Sequence, residues 1–340
     1  MSIASFIRKI YTTLPFRKYQ WKVPRDLAKL APYVYHMAQT GEGTDACLES
    51  GCLPMLVHFY SPVPDIPDLE KRGIFEQRSA LTGIDLQTEK QLQLLRQLGE
   101  NYGHECDWPL KPTKDSFQFF LENGCFSFGC AAGLHTIIRQ YEPHRIVEVG
   151  SGNSSIVMSA ALKRNAAESS SYSCEYTIID PYPGAVVSGG ELYGVTELVK
   201  ERVELTDITR FDQLRENDIL FIDSGHTVKT GSDVNFLILD VLPRLQPGVI
   251  IHFHDINLPY PPPKVYYTNP AFRVFWTEEY LLQAFLCGNE HFEILLTMSV
   301  LQKEYMDTFC DVFPHFDLAT NWATSGSFWI RSLSHEKRML

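Results

Sequence analysis

No Cys-x-x-Cys pair occurs among the eight cysteines of this sequence. The two closest couples, Cys47/Cys52 and Cys125/Cys130, are too widely spaced for the usual zinc or thiol-redox motifs. Scattered cysteines in a chain of 340 residues read as reduced thiols, and a cytoplasmic location is expected. No apolar run approaches the roughly 18 residues of a membrane-spanning helix. Positive charge is also short: 30 Lys and Arg stand against 41 Asp and Glu, a net charge of −11. Most of such a surface repels phosphate polyanions, so nucleic acid is not an expected partner. Internal repeats are absent.

What is present is ordinary globular material. Hydrophobic residues make up 44% and charged residues 21%, enough for a sizeable core. The length suits one large domain or two modest ones. Basic residues gather near the start: Arg8, Lys9, Arg17, Lys18, Lys22, Arg25 and Lys29. The apolar stretches there are too interrupted for a signal peptide. Ile3, Phe6, Ile7 and Ile10 can share one helix face, expected to pack on the body of the protein, with weak contact to a membrane surface as the alternative.

Composition changes near residue 135. The first part, residues 1–135, reads as helical and loop-rich, with Leu92, Leu94, Leu95 and Leu98 at near-helical spacing, and is expected to form a cap. The segment from His58 to Asp65 holds Pro62 and Pro64 and cannot be a regular helix or a central strand. Beyond residue 135 short apolar runs alternate with helical stretches. Arg145–Gly150, Tyr176–Asp180, Val203–Leu205, Ile219–Asp223 and Val249–His254 read as buried strands. Ser155–Arg164, Glu191–Glu201, Asp233–Leu242 and Thr277–Leu286 read as helices. Phe292–Val300 and Ser325–Arg331 suggest a terminal antiparallel pair. This alternation predicts an α/β fold, a doubly wound and mostly parallel sheet with helices on both faces.

Three strand ends carry candidate chemistry. The first is Glu148-Val149-Gly150-Ser151-Gly152-Asn153-Ser154-Ser155, a strand running through a glycine turn into a helix. Glycine permits close backbone approach of a ligand, and the helix start offers free N–H groups. The third glycine of the dinucleotide fingerprint is missing, which counts against a pyrophosphate. A carboxylate at Glu148 would repel a pyrophosphate but attract an ammonium group. The second is Asp180-Pro181, where an acid at the next strand end suits a ribose hydroxyl pair. Asp207 follows the third expected strand and reads either as an adenine neighbour or as a cap. The third pairs Asp223-Ser224-Gly225-His226 with His252-Phe253-His254-Asp255. Ligands in such sheets sit beyond the carboxyl ends of the strands, so Asp223, His226, His254 and Asp255 are expected in one cleft. Such a set suits a divalent cation or a general base with its orienting acid. His252 alternates with His254 and should face away.

Taken together, Glu148 to Ser155, Asp180-Pro181-Tyr182-Pro183 and Phe221-Ile222-Asp223-Ser224 resemble class I S-adenosylmethionine-dependent methyltransferases. Phe59-Tyr60-Ser61-Pro62, Lys229 to Asn235, His252-Phe253-His254-Asp255-Ile256 and Gly326-Ser327-Phe328-Trp329 resemble signatures of a bacterial-type subgroup. The resemblance spans roughly residues 55 to 331. It implies a seven-stranded Rossmann-like sheet with a reversed last strand; the change in composition places it in a catalytic domain of residues 136–340, with the cap expected on the acceptor side. It implies S-adenosylmethionine as cofactor, its methionine part held by Glu148 and the turn Gly150, Ser151 and Gly152 and its ribose by Asp180; Ser154, Ser155, Pro181, Asp207, Asp223 and Ser224 are expected to complete the cofactor site. The resemblance implies no acceptor; from the residues themselves, His226 or His254 is expected as the base, with Asp255 orienting His254, acting on a small-molecule or sugar hydroxyl. Catechol-type relatives hold magnesium through an Asp after the fourth strand and an Asp-Asn pair after the fifth. Asp223 and Asp255 match in position, but Ile256 breaks the pair. A divalent metal on Asp223, His254 and Asp255 is therefore the less favoured expectation.

Two other classes compete. Tyr260-Pro261-Pro262-Pro263-Lys264 superficially matches the Tyr-x-x-x-Lys of one group of NAD-dependent oxidoreductases. Three prolines forbid the single helix that pair needs. A non-catalytic S-adenosylmethionine-binding protein is the other alternative, against which the convergent His-acid strand ends argue.

Overall fold

The computed structural model describes residues 23–270, 273–320 and 324–334. The expected N-terminal helix face from Ile3 to Ile10 lies outside them. Seven strands form one sheet: β1 (Arg145–Val149), β2 (Glu175–Ile179), β3 (Val195–Val199), β4 (Ile219–Ile222), β5 (Ile250–Phe253), β6 (Phe292–Thr297) and β7 (Phe328–Ser332). Their order is β3-β2-β1-β4-β5-β7-β6. β1 to β5 run parallel, and β7 inserts antiparallel between β5 and β6.

The strand residues alternate between two buried faces. Ile146, Ile219 and Phe221 join a core with the helices Thr88–Tyr102, Phe128–Tyr141 and Asn153–Glu168. Val147, Val149, Leu220 and Ile222 join a second core with the stretch 233–242 and the helix Glu278–Leu286. A sheet covered on both faces favours apolar residues along its strands, which is why β4 reads as a continuous apolar run and β5 as one interrupted only by His252.

Strand register sets where the loops emerge. Val149 pairs with Ile179 of β2 and with Ile222 of β4, and Ile222 pairs with Phe253 of β5. The carboxyl ends of four parallel strands therefore finish level. The strand order reverses between β1 and β4, the switch point at which such sheets bind ligands.

Several expectations need correction. Glu191–Glu201, expected as a helix, contains β3, and Val203–Leu205, expected as a strand, is a single 3-10 turn. β3 is an edge strand with Thr196 and Glu197 exposed, so its pattern lacks the continuous apolar run of its neighbours. β6 stops at Thr297, and a helix, Met298–Glu304, follows at once. Residue 135 falls inside the helix Phe128–Tyr141 and not at a boundary. One compact unit comprises residues 78–262 together with 276 onward. Residues 78–135 belong to it because Leu92, Leu95, Leu98, Phe128 and Leu134 are part of the sheet's own core.

The second unit comprises the described residues up to 77 and the segment 263–275. It contains the helices Val23–Thr40, Thr44–Glu49, Ile66–Lys71 and Lys264–Thr268. Lys264 pairs with Glu70 at 2.9 Å, and the Phe75 and Tyr267 rings lie 5.6 Å apart. His58 to Asp65 forms turns, as its prolines require. No helix among the described residues is long and apolar enough to cross a membrane.

Candidate functional site

The turn after β1 is glycine-dependent for a reason internal to the protein. Gly150 has φ +78°, and a Cβ there would lie 1.9 Å from the Asp223 carbonyl oxygen. Only glycine lets the ends of β1 and β4 approach this closely. Gly152 differs: a Cβ built on it meets nothing within 4 Å. Its open side, at the start of the helix Asn153–Glu168, is where a ligand can come up against the backbone.

Glu148 lies beneath this turn and does not face the cleft. It is fully buried and accepts hydrogen bonds from Ser154 Oγ at 2.6 Å, Ser155 Oγ at 2.8 Å and the Tyr176 hydroxyl. Burial pushes its carboxyl up to about 7, against the pull of the three hydroxyls. The sequence expectation of an ammonium contact is corrected accordingly: Glu148, Ser154 and Ser155 brace the turn and use their polar atoms on one another. Asp180 stands at the end of β2, half-buried, with Pro181 beside it. Its Oδ2 accepts from Ser151 N at 3.0 Å and Ser151 Oγ at 2.6 Å, and its Oδ1 accepts from Tyr182 N at 2.7 Å. The acid thus ties the glycine turn to the neighbouring strand end.

Asp207 is exposed and accepts from Thr209 N at 3.0 Å, capping the turn Ile208–Gln213. The cap reading holds for it, because the strand it was expected to follow is a turn.

Past β4 and β5 the structure gathers Asp223, His226, His254 and Asp255. His226 Nε2 lies 3.2 Å from Asp223 Oδ1 and 3.8 Å from Asp255 Oδ2. His254 Nδ1 lies 3.4 Å and 3.5 Å from the same two oxygens. Both imidazoles are buried. His254 stacks on Phe126 at 5.1 Å, and His226 packs on Trp276 at 4.5 Å. Ser224 Oγ is buried beside them with no hydrogen-bond partner among the described residues.

Burial works against every charge here, yet the pairing outweighs it. His226 is raised to about 10, burial being opposed by Asp223 and Glu278. His254 is raised well above the ordinary range by Asp255 and Asp223. Asp223 and Asp255 are held below the usual carboxylate range, with His254 the leading partner of each. An imidazole of near-neutral pKa, expected from sequence, is therefore not what the ion-paired cluster contains. His252 does not face away as expected: two residues before His254, it shares that side of the sheet, and the two rings lie 6.1 Å apart. It stacks on Phe221 at 4.0 Å, meets Ser327 Oγ at 2.7 Å, and burial keeps it well below the ordinary histidine range.

Two further motifs serve this cluster. Asp255 has φ +57°, and a Cβ on Gly326 would come within 2.8 Å of its Cα, so the Gly326-Ser327 backbone packs directly under Asp255 and His252. Asp233, from the stretch Lys229 to Asn235, accepts from Gly225 N at 2.6 Å and steadies the loop before His226. One residue escaped sequence reasoning altogether. Glu278, buried at the start of its helix, places Oε2 2.7 Å from His226 Nδ1. Its only sequence mark was an acidic first helical turn, a feature common at any helix start.

A family model described as a methyltransferase domain matches residues 147–256, from the glycine turn through the His-acid cluster. An uncharacterized protein of Archaeoglobus fulgidus is 34% identical over 168 residues, covering 48% of this chain and 74% of that one. Residues 147–256 form a methyltransferase domain on this Rossmann-like sheet. The antiparallel β7 between β5 and β6 is the reversed last strand that the sequence resemblance implied. Two solved structures align over most of this methyltransferase. A putative methyltransferase from Thermobifida fusca YX is 10% identical and covers 76% of this chain and 97% of its own, at a TM-score of 0.34. The plantazolicin methyltransferase BpumL, in complex with SAH, is 14% identical and covers 79% and 98%, at 0.37. Scores this low add nothing to the strand order itself. The oxidoreductase pair is absent: Tyr260 donates to Glu304, while Lys264 starts a separate helix and pairs with Glu70.

Proposed function

We propose that this methyltransferase transfers a methyl group from S-adenosylmethionine to a hydroxyl oxygen of a small-molecule or sugar acceptor. The observation carrying this reading is the level finish of β1, β2, β4 and β5, which brings the glycine turn, Asp180 and the His-acid cluster to one edge. The cofactor's methionine part lies over Gly150, Ser151 and Gly152, with its ribose at Asp180-Pro181. Asp223 and Ser224 stand between cofactor and acceptor. The acceptor lies against His226, His254 and Asp255.

The reaction is an in-line displacement. The acceptor oxygen's lone pair forms the new O–C bond, the C–S bond breaks with its electrons going to sulfur, and the hydroxyl proton passes to a carboxylate oxygen of Asp223 or Asp255, since both imidazoles of the cluster already hold their protons. Alignment and exclusion of water supply most of the acceleration. Proton removal by positioned groups adds about 10²–10⁴-fold. A surface of net charge −11 keeps nucleic acid an unfavoured acceptor.

The test is calorimetry of the full chain with S-adenosylmethionine and with NAD, followed by labelled-methyl transfer to a panel of hydroxylated small molecules and sugars. Binding of S-adenosylmethionine and label in an ether product support the reading. Binding of NAD alone, or methylation confined to nitrogen or carbon acceptors, sinks it.

A further inference from the structure

The spacing of Cys47 and Cys52 lies outside the usual thiol-redox motifs, but the chain folds back between them. Cys47 lies in the helix Thr44–Glu49, which Ser50 ends. Gly51 has φ +76°, a left-handed conformation that glycine adopts without strain. Gly51 N donates to Leu48 O at 2.9 Å, and Cys52 N donates to Cys47 O at 2.9 Å. This nested pair of bonds is the Schellman motif, in which the residue after the glycine returns over the last turn of the helix. The two positions it brings together frequently carry apolar side chains in contact. Here both carry thiols.

The bond from Cys52 N to Cys47 O holds the two Cα atoms within about 7 Å of each other, inside the reach of a disulfide. The thiols hydrogen-bond to one another, and both are reduced. Cys52 is exposed and Cys47 half-buried. Desolvation pushes the Cys47 thiol up, and the neighbouring Cys52 sulfur pushes it further in the same direction. Cys47 therefore keeps its proton, and the exposed Cys52 sulfur is the one that a reagent meets first. Cys125 and Cys130 share the same spacing but span the start of the helix Phe128–Tyr141, with Cys125 exposed and Cys130 buried. The helix ending, not the spacing, makes Cys47 and Cys52 a pair.

We propose that Cys47 and Cys52 are a redox-active dithiol that exchanges with low-molecular-weight disulfides, closing an intrachain disulfide that locks the turn after the helix Thr44–Glu49. The Cys52 thiolate attacks one sulfur of the external disulfide, whose S–S bond breaks and releases one thiolate. Cys47 then gives its proton to solvent and attacks the Cys52 sulfur, forming the protein S–S bond and releasing the second thiolate. Two protein thiols are oxidised, and one external disulfide is reduced to two thiols. The folded turn already holds the sulfurs together, so each thiol meets the other at a high effective concentration. The site is defined by the helix ending and does not depend on the methyl-transfer reading.

The test equilibrates the full chain, without cofactor, in glutathione at fixed concentration and rising glutathione disulfide. The mixture is quenched in acid and the remaining thiols are alkylated. Cleavage after Lys and Arg releases residues 30–71 as one piece, which holds Cys47 and Cys52 and no other cysteine. That piece is expected to emerge unalkylated and lighter by two hydrogens. Half-conversion is expected at a glutathione-disulfide concentration at least about tenfold below that which half-modifies the exposed Cys287 or Cys310. In Cys47→Ser, Cys52 should accumulate as the mixed disulfide with glutathione, the first step trapped. Amide exchange at Gly51 and Cys52 should slow in the oxidised natural chain. Oxidation no easier than at Cys287, a mixed disulfide persisting at Cys52 in the natural chain, or linkage only between chains would each overturn the dithiol. Unchanged amide exchange after oxidation would overturn the locking.

Discussion

His226 Nδ1 lies 2.7 Å from Glu278 Oε2, joining the loop after β4 to a helix 52 residues further along the chain. The His226 carbonyl oxygen also accepts from the Thr277 and Glu278 backbone amides, so side chain and main chain are fixed by the same helix start. Glu278→Ala should lower turnover by about 10–100-fold while S-adenosylmethionine affinity stays within twofold, since Glu278 orients another side chain. Glu278→Gln keeps an oxygen acceptor and should recover part of the rate. A parallel loss of cofactor affinity in both variants would point to a collapsed loop instead.

The two glycines of the β1 turn should behave oppositely. Gly150→Ala places a methyl against the Asp223 carbonyl at a positive φ and should destabilise the fold by about 1–3 kcal/mol or more, read by denaturant unfolding. Gly152→Ala meets no protein atom, so stability should change by less than about 1 kcal/mol. Calorimetry should nonetheless show S-adenosylmethionine binding weakened in Gly152→Ala, because the new methyl occupies the ligand's approach.

Asp180→Ala should weaken S-adenosylmethionine by about 1.5–3 kcal/mol, roughly 10–150-fold, if its carboxylate receives the ribose hydroxyls. Ser151 loses two hydrogen bonds in the same variant, so a Ser151→Ala control is needed to separate turn bracing from ribose contact. Equal losses in the two variants would remove the ribose role.

The buried Glu148 predicts a pH dependence. Its carboxyl sits at about 7, above its ordinary 4.5, so the folded chain retains a proton that the unfolded chain has lost. That contribution to stability is full below the ordinary value and is lost as pH rises through about 7. Glu148→Gln should remove this component, flattening thermal stability between pH 4.5 and 7 relative to the natural protein. The magnitude is on the order of 3 kcal/mol, at about 1.36 kcal/mol per pKa unit.

Removing residues 1–135 should abolish folding rather than leave a bare catalytic domain. The cut removes half of the helix Phe128–Tyr141 and the core residues Leu92, Leu95 and Leu98. It also removes Glu105, whose buried carboxylate holds His135 at 2.7 Å and Arg139 at 3.0 Å. Burial opposes ionisation of Glu105, but His135 and Arg139 bring it down to about 2. Breaking such a buried pair alone costs about 3–5 kcal/mol, so Glu105→Ala should be severely destabilised in thermal unfolding. A truncated chain starting at 136 with a cooperative melt would refute this.

Local rules carried the sequence reading where a residue's task is local. A buried parallel strand must be apolar along its length, and the turn behind it must be glycine, so β1, β4 and β5 and the Gly150–Gly152 turn were legible. The two histidine-bearing strand ends were legible for the same reason, since parallel neighbours deliver their ends to one edge. Edge strand β3 was not, because a strand with one free edge and exposed side chains lacks the continuous apolar run of its neighbours. Glu148 illustrates a different limit. Its position at a strand end was plain, but whether it faced the cleft or the core depended on Tyr176, Ser154 and Ser155, which close over it only once β2 and the next helix are packed. Glu278 lay beyond reach altogether, as nothing within one helical turn of it marks a partner 52 residues away. Periodicity and turn chemistry were enough to name the residues at the carboxyl edge of the sheet. Which of those residues face one another was settled by folding, because it depends on strand register and on a helix docking from a distant part of the chain, and neither is written in local periodicity.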